Sequence, residues 1–272
     1  MTTLLLHGLG ADRRQPLKLL SPMLAAIVAP TGPVVAVDVR AHGASRAVGG
    51  PGDFALDRLA HEAAASAKHE LDELGAVTDA DGSSGTAAPF TVIGISMGAA
   101  LALRIALLGL LPVRRAVFIR PSFDDTSLPV NLRAFPVIGE ILRDAGPGGL
   151  EQFRETAVFE RVRAESPAGA DGLLTQFTAP MAVERAVRLV EIPRNRAFAD
   201  ESELASVTDA GIRSLVVGAP RDPVHPLALA ERWAGALGAP LDTVPARDDG
   251  QPAQTAAVRD AVGRWLALTA RT

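Results

Sequence analysis

Residues 90–100, reading Phe-Thr-Val-Ile-Gly-Ile-Ser-Met-Gly-Ala-Ala, constrain the fold of this chain more than any other stretch. An apolar, β-branched run passes through Gly94-Ile95-Ser96-Met97-Gly98 straight into an Ala- and Leu-rich helical run. A strand that turns into a helix over so few residues brings its own backbone close together, so β-carbons at Gly94 and Gly98 would clash with neighbouring backbone. Ser96 is thereby predicted to stand exposed at the carboxyl end of a buried strand, where its hydroxyl is a candidate nucleophile.

The same alternation recurs along the chain. Apolar runs at 3–6, 34–39, 116–119, 215–217 and 241–244 read, with 90–95, as buried parallel strands. Helical periodicity covers 17–28, 56–74, 97–108, 227–237 and 255–268. This β-α-β-α order specifies the α/β class, a mostly parallel sheet of about six strands flanked by helices. Residues 78–89 have no periodicity and read as a loop. Between 122 and 206 the alternation stops, and helical patterns at 128–143, 150–163, 171–177 and 181–190 follow one another with Pro and Gly between them. That segment is expected to be a helical cap lying over the carboxyl edge of the sheet. Residues 1–121 and 207–272 are then the core.

Composition narrows the chemistry. A 272-residue chain that is 48% hydrophobic can fill one core and an insertion. No apolar run approaches the roughly 18 to 20 residues that span a bilayer. The first six residues lack the basic region and cleavage site of an export signal, so a soluble, cytoplasmic protein is expected, with no membrane partner. There is no cysteine and no tyrosine, which removes thiolate and phenol chemistry. The net charge is −4 and the basic residues are scattered, which argues against a nucleic-acid partner. No two histidines stand at a metal-ligand spacing with a carboxylate, so no metal and no cofactor are expected.

Three further motifs accompany the serine: His7-Gly8-Leu9-Gly10 after the first strand, Asp38-Val39-Arg40-Ala41-His42-Gly43-Ala44-Ser45 after the second, and Gly218-Ala219-Pro220-Arg221-Asp222-Pro223-Val224-His225-Pro226 after the fifth. In this order and spacing the four motifs resemble the α/β-hydrolase superfamily, of the lidded, esterase-like kind, over nearly the whole chain. The resemblance implies that Ser96 is the nucleophile and Asp222 the triad acid. It implies that the backbone N–H groups of Leu9 and Met97 form the oxyanion hole, and that His7, Gly8, Phe135 and Phe177 lie at the substrate. The Asp38–His42 stretch corresponds to a structural turn near the site. The chain begins at what would be the family's third strand, which shortens the sheet at one edge and leaves the site untouched.

One departure stands out. The family places its general base, a histidine, in the loop after the last strand. Here that loop reads Ala246-Arg247-Asp248-Asp249-Gly250-Gln251-Pro252-Ala253-Gln254-Thr255, and Gln254 occupies the best-matching position. Glutamine can hydrogen-bond a hydroxyl but cannot take its proton, and losing the base of an intact triad costs on the order of 10⁶ in kcat. His225, three residues from Asp222, is the leading substitute. The plainer reading is that it packs or caps the following helix, and on the corresponding reading Asp222 serves only as a helix cap. Asp248 or Asp249 would serve if burial raised a carboxyl toward neutrality; otherwise both face solvent. His7 and His42 read as braces of their own loops, and His61 and His69 as solvated. Apolar positions of the cap, among them Leu132, Phe135, Ile138, Phe153, Phe159, Leu173, Phe177 and Met181, either line an acyl pocket or pack the cap on the core.

Two functions fit these residues. One is a serine hydrolase or acyl-transfer enzyme acting on a small hydrophobic ester, thioester or lactone, with a non-standard or inactivated triad. The other is a non-hydrolytic scaffold of the same fold that binds a hydrophobic small molecule beneath its cap. Dehalogenase or epoxide-hydrolase chemistry is disfavoured, because those relatives carry aspartate where this chain has Ser96.

Overall fold

A computed structural model describes residues 1–27, 32–75 and 88–270; most of the loop expected at 78–89 lies outside them. Six strands, β1 (Thr2–Leu6), β2 (Val34–Val37), β3 (Phe90–Ile95), β4 (Val113–Ile119), β5 (Arg213–Gly218) and β6 (Leu241–Thr243), form one sheet in the order β2-β1-β3-β4-β5-β6. Every pairing is parallel. Each strand predicted from an apolar run is present. All five residues of β1 and all six of β3 are buried, as expected of strands covered on both faces.

The period-2 alternation of side chains divides them between two layers. Leu5, Ile93, Val117 and Val217 point to the face covered by α1 (Arg14–Ile27) and α11 (Gln251–Thr269), through Leu20, Leu24, Val258, Val262 and Leu266. Leu4, Leu6, Val92, Phe118 and Val216 point to the other face, which α2 (Leu56–Glu73), α3 (Met97–Leu107) and α10 (Leu227–Leu237) cover. Trp233 of α10 is fully buried there, edge-on to Phe118 at 5.2 Å, and its indole N–H donates to the Phe123 carbonyl at 3.0 Å.

Between β4 and β5 the described chain is helical: α4 (Ala134–Ala145), α5 (Leu150–Arg154), α6 (Ala157–Glu165), α7 (Pro167–Leu174), α8 (Val187–Glu191) and α9 (Glu201–Asp209). Its helices are shorter than the periodicity suggests, for local reasons. Leu128 takes a left-handed backbone (φ 54°) before Pro129, so only a 3₁₀ turn at Val130–Leu132 precedes α4. Thr156 accepts the Phe159 N–H and so caps α6, which splits the expected helix at 150–163 in two. Met181, also left-handed at φ 56°, leaves residues up to 186 in turns where a helix over 181–190 is expected, and α8 starts at Val187.

Chain order and sheet order together fix where a site can form. The chain runs from β1 outward to β2, then returns to β3 on the opposite side of β1. The strand order therefore reverses between β1 and β3, and the crevice outside their carboxyl ends is where open α/β sheets bind ligands. Gly8 and Ser96 follow β1 and β3 at that point.

Candidate active site

The turn after β3 has the geometry its glycines predict. A Cβ at Gly94 would fall within 3.0 Å of the Gly98 carbonyl, and one at Gly98 within 3.0 Å of the Leu6 and His7 carbonyls. Between them Ser96 sits at φ 56°, ψ −114°, outside the conformations L-residues favour, directly before α3. Its amide donates to the Ile119 carbonyl of β4 at 2.9 Å. Its Oγ shares a hydrogen bond of 3.1 Å with the Ser122 Oγ, and both side chains are nearly enclosed.

The turn after β1 sorts its N–H groups. Gly8 donates to Gln15 Oε1 at 2.8 Å and Gly10 donates to His42 Nε2 at 3.0 Å. The intervening Leu9 N–H has no protein partner among the described residues, and neither has that of Met97 in the first turn of α3. Gly8 lies so close to Ser96 that a Cβ there would be 3.4 Å from the serine Cβ.

His7 and His42 hold this turn from behind. His7 donates from Nδ1 to the Gly8 carbonyl at 2.8 Å and accepts the Val39 N–H on Nε2 at 3.1 Å. His42 donates from Nδ1 to the Arg40 carbonyl at 2.8 Å. Both rings are fully buried, 4.9 Å apart, and each needs a bare nitrogen to accept a backbone N–H. Burial lowers both pKa values, that of His42 well below 6.5, with the His7 and Arg188 charges adding to the effect at His42. In the unfolded chain these rings take up protons near pH 6.5, while in the fold they resist. Stability is therefore fully present above that pH and falls as the pH drops below it, by at most about 1.4 kcal/mol per pH unit for each ring. Thermal melts at pH 7.5 and 5.5 should show a lower Tm at the acid value, and His42→Asn should flatten the slope. A Tm independent of pH over this range would contradict the buried neutral pair.

After β5, the Asp222 carboxylate is saturated with donors. Oδ1 accepts the Val224 and His225 N–H groups at 3.1 and 3.0 Å. Oδ2 accepts His225 Nδ1 at 2.9 Å and Arg120 Nη1 at 3.2 Å. Burial works to raise this carboxyl, but the His225 and Arg120 charges and these hydrogen bonds outweigh it and hold the group well below the usual carboxylate range. For His225 the balance is reversed: burial, aided by the Arg120 and Arg247 cations, exceeds the pull of Asp222 and lowers the ring below 6.5. The imidazole is neutral at pH 7, and with Nδ1–H committed to Asp222 its Nε2 is a bare acceptor.

These elements converge on a cavity of about 310 Å³ at the carboxyl end of the sheet. Of the residues the sequence singles out, Ser96, Asp222, His225, Gly8, Leu9, Phe135 and Leu173 line it. The others lie elsewhere. His7 is behind the turn, and Met97 is wholly buried, so only its backbone borders the site. Phe177 is not in the cavity wall; it is buried and packs on Phe153, with ring centroids 5.7 Å apart. Gln254, in the second half-turn of α11, donates from Nε2 to the Pro245 carbonyl at 3.0 Å and is buried outside the cavity lining. Asp248 and Asp249 are exposed. Asp248 accepts from Ser166 and from the Ala168 N–H at the start of α7, and Asp249 pairs with Arg221.

Sequence reading did not single out Arg120, Ser122, Gln15, Gln176 or Arg247, all of them in or against the site. Arg120 directly follows β4, and that position, at the carboxyl end of a strand beside β3, is the signal that could have marked it. Among the described residues no group of three or more His, Asp or Glu gathers as a metal site, and no helix is long and apolar enough to cross a membrane.

Comparison with known proteins agrees with this architecture. The family described as alpha/beta hydrolase matches residues 3–260. No protein of curated function matches the sequence. Among solved structures, a thermophilic esterase from Thermogutta terrifontis with malate bound superposes with a TM-score of 0.65 at 18% identity, covering 98% of this chain and 89% of its own. A hydrolase from Pseudomonas aeruginosa PA01 gives 0.61 at 19%, covering 96% and 89%. Est816, an N-acyl homoserine lactone degrading enzyme, gives 0.58 at 17%, covering 96% and 92%. At these identities the likeness is one of fold.

Proposed function

The chain belongs to the alpha/beta hydrolase family, and from that premise we propose that it is a serine hydrolase of small esters, thioesters or lactones whose general base is His225. The observation that carries this reading is that His225, held through Nδ1 by Asp222, lines the same cavity as Ser96, whereas Gln254 does not. The base has thus moved from the loop after the last strand to the loop that already bears the acid. Neighbours of esterase and lactone-degrading activity share the fold and make acyl chemistry the natural class.

In the proposed cycle the Ser96 Oγ attacks the substrate carbonyl carbon while its proton passes to His225 Nε2. The resulting oxyanion is held by the Leu9 and Met97 N–H groups, left without protein partners while Gly8 and Gly10 are engaged. The tetrahedral intermediate collapses, the C–O or C–S bond breaks, and the leaving alcohol or thiol takes the proton back from His225. Water then attacks the acyl-serine with His225 again as base, releasing the acid and restoring Ser96. Asp222 keeps the ring in the Nδ1–H tautomer and stabilises the imidazolium as it forms. Before the first step Ser96 must exchange its hydrogen bond from Ser122 to His225.

The segment 122–206 serves in this proposal as a cap over the core formed by 1–121 and 207–272. Phe135, Ser166, Gly169, Gly172, Leu173 and Gln176, all from that segment, supply one side of the cavity wall.

The Ser96–Ser122 hydrogen bond favours a second reading, in which the serine is held out of reach of a base and the cavity only binds its ligand. Hydrolysis of p-nitrophenyl butyrate separates the two. The hydrolase reading expects turnover that disappears in Ser96→Ala. Turnover that survives Ser96→Ala, or none in the unaltered chain, favours the binding scaffold.

A further inference from the structure

Three ionised side chains line the cavity, and two of them are arginines. Arg120 is neutralised by its ion pair with Asp222. Arg247 has no ion pair among the described residues; its Nε donates to Gln251 Oε1 at 3.1 Å, and its remaining guanidinium donors are left to the cavity. With two cations, one carboxylate and a neutral His225, the wall carries a net charge of +1. Asp222, Asp248 and Asp171 act on this half-buried guanidinium only through space, and a ligand carboxylate in contact with it would supply the paired hydrogen bonds it lacks.

Two neighbours show that the chain accommodates this group. Gly172 of α7 faces it so closely that a Cβ there would lie 2.6 Å from Arg247 Nη1. Gln176 is 93% buried in the cavity wall with its Oε1 pressed against Gly10 and unpartnered, and its Nε2 has no partner among the described residues. Gln15 Oε1, an acceptor on the same wall, is already committed to the Gly8 N–H. The charged group left free to meet a ligand away from the serine is therefore the Arg247 guanidinium, with the Gln176 amide beside it offering its Nε2 as a further donor.

We infer that the substrate carries a carboxylate on its acyl portion, held by the Arg247 fork and the Gln176 amide while Ser96 faces the scissile carbonyl. This deepens the hydrolase reading and rests on it for the reacting bond. A guanidinium presents paired donors in the plane a carboxylate accepts. It also revises the expectation of a purely hydrophobic acyl group: Phe135, Leu173 and Val224 supply apolar wall, but the end of the cavity near α7 is cationic.

The test compares p-nitrophenyl hemiglutarate with p-nitrophenyl valerate, which share acyl length and leaving group and differ in the carboxylate. The unaltered chain should favour the hemiglutarate in kcat/KM by tenfold or more. Arg247→Ala should reduce that ratio at least tenfold, and Arg247→Lys should restore part of it. In parallel, calorimetry on the Ser96→Ala protein should detect binding of glutarate and none of glutaramide. Glutarate binding without hydrolysis of either ester would support the anion site and sink the hydrolase reading. Equal or greater preference for the valerate, with no glutarate binding, would overturn the inference and leave the hydrolase reading standing.

Discussion

His225→Ala should lower kcat for p-nitrophenyl butyrate by about 10⁴-fold or more while the protein stays folded. The size follows from the role: without a base the serine must lose its proton to water, and what remains is the oxyanion donors and binding. The fold should tolerate the change, because Asp222 retains the Arg120 guanidinium and the two backbone N–H groups at its Oδ1. Added imidazole should return part of the lost rate to the alanine variant, since it can diffuse into the space vacated by the ring. A variant that keeps most of its activity would place the base elsewhere. The pH profile is a companion test: because burial holds the ring below its ordinary value, kcat should be level through neutral pH and fall only on the acid side of 6.5.

Gly98→Ala is expected to cost about 3 kcal/mol or more, a fall in Tm of about 6–12 °C, and to abolish activity along with stability. The methyl group would meet the carbonyl oxygens of Leu6 and His7, which are backbone atoms fixed by the β1 ladder and by the His7 brace, so no side-chain rotation relieves the contact. Relief requires β1 and α3 to separate, and that shifts Ser96 away from Leu9. Gly235→Ala is the control, since nothing lies within 4 Å of a Cβ there in the last turn of α10. Equal melting temperatures for the two variants would show that the turn after β3 is looser than these contacts require.

The core was legible in the sequence because its central strands carry apolar runs and most of the flanking helices are amphipathic; the edge strand β6, Leu-Asp-Thr, is the exception, partly exposed where burial was expected. Both periodicities follow from burial on two faces and on one. The turn around Ser96 was legible for a different reason: its backbone geometry excludes side chains at Gly94 and Gly98, so the constraint is written in residue type. The helices between β4 and β5 were only partly so. Their ends depend on single residues, the Thr156 cap and the left-handed Leu128 and Met181, which periodicity does not register.

For the site, Ser96, Asp222 and Leu9 could be placed because each sits at a fixed offset from a strand end. Gln254 and Phe177 could not, since whether a side chain faces the cavity or the core depends on how a helix or turn is rotated, and both face the core. Arg120 and Arg247 come from segments 127 residues apart, brought together by Asp222 and the cavity wall, a juxtaposition that exists only after folding.

The claim that Ser96 is activated by His225 is tested most directly by intact-mass spectrometry after exposure to a fluorophosphonate. The unaltered chain should gain one adduct, mapped to Ser96, within minutes, and His225→Ala should label far more slowly. If instead the unaltered chain stays unlabelled and Gln254→His is needed to make Ser96 reactive, His225 is not the base and the proposed mechanism is wrong.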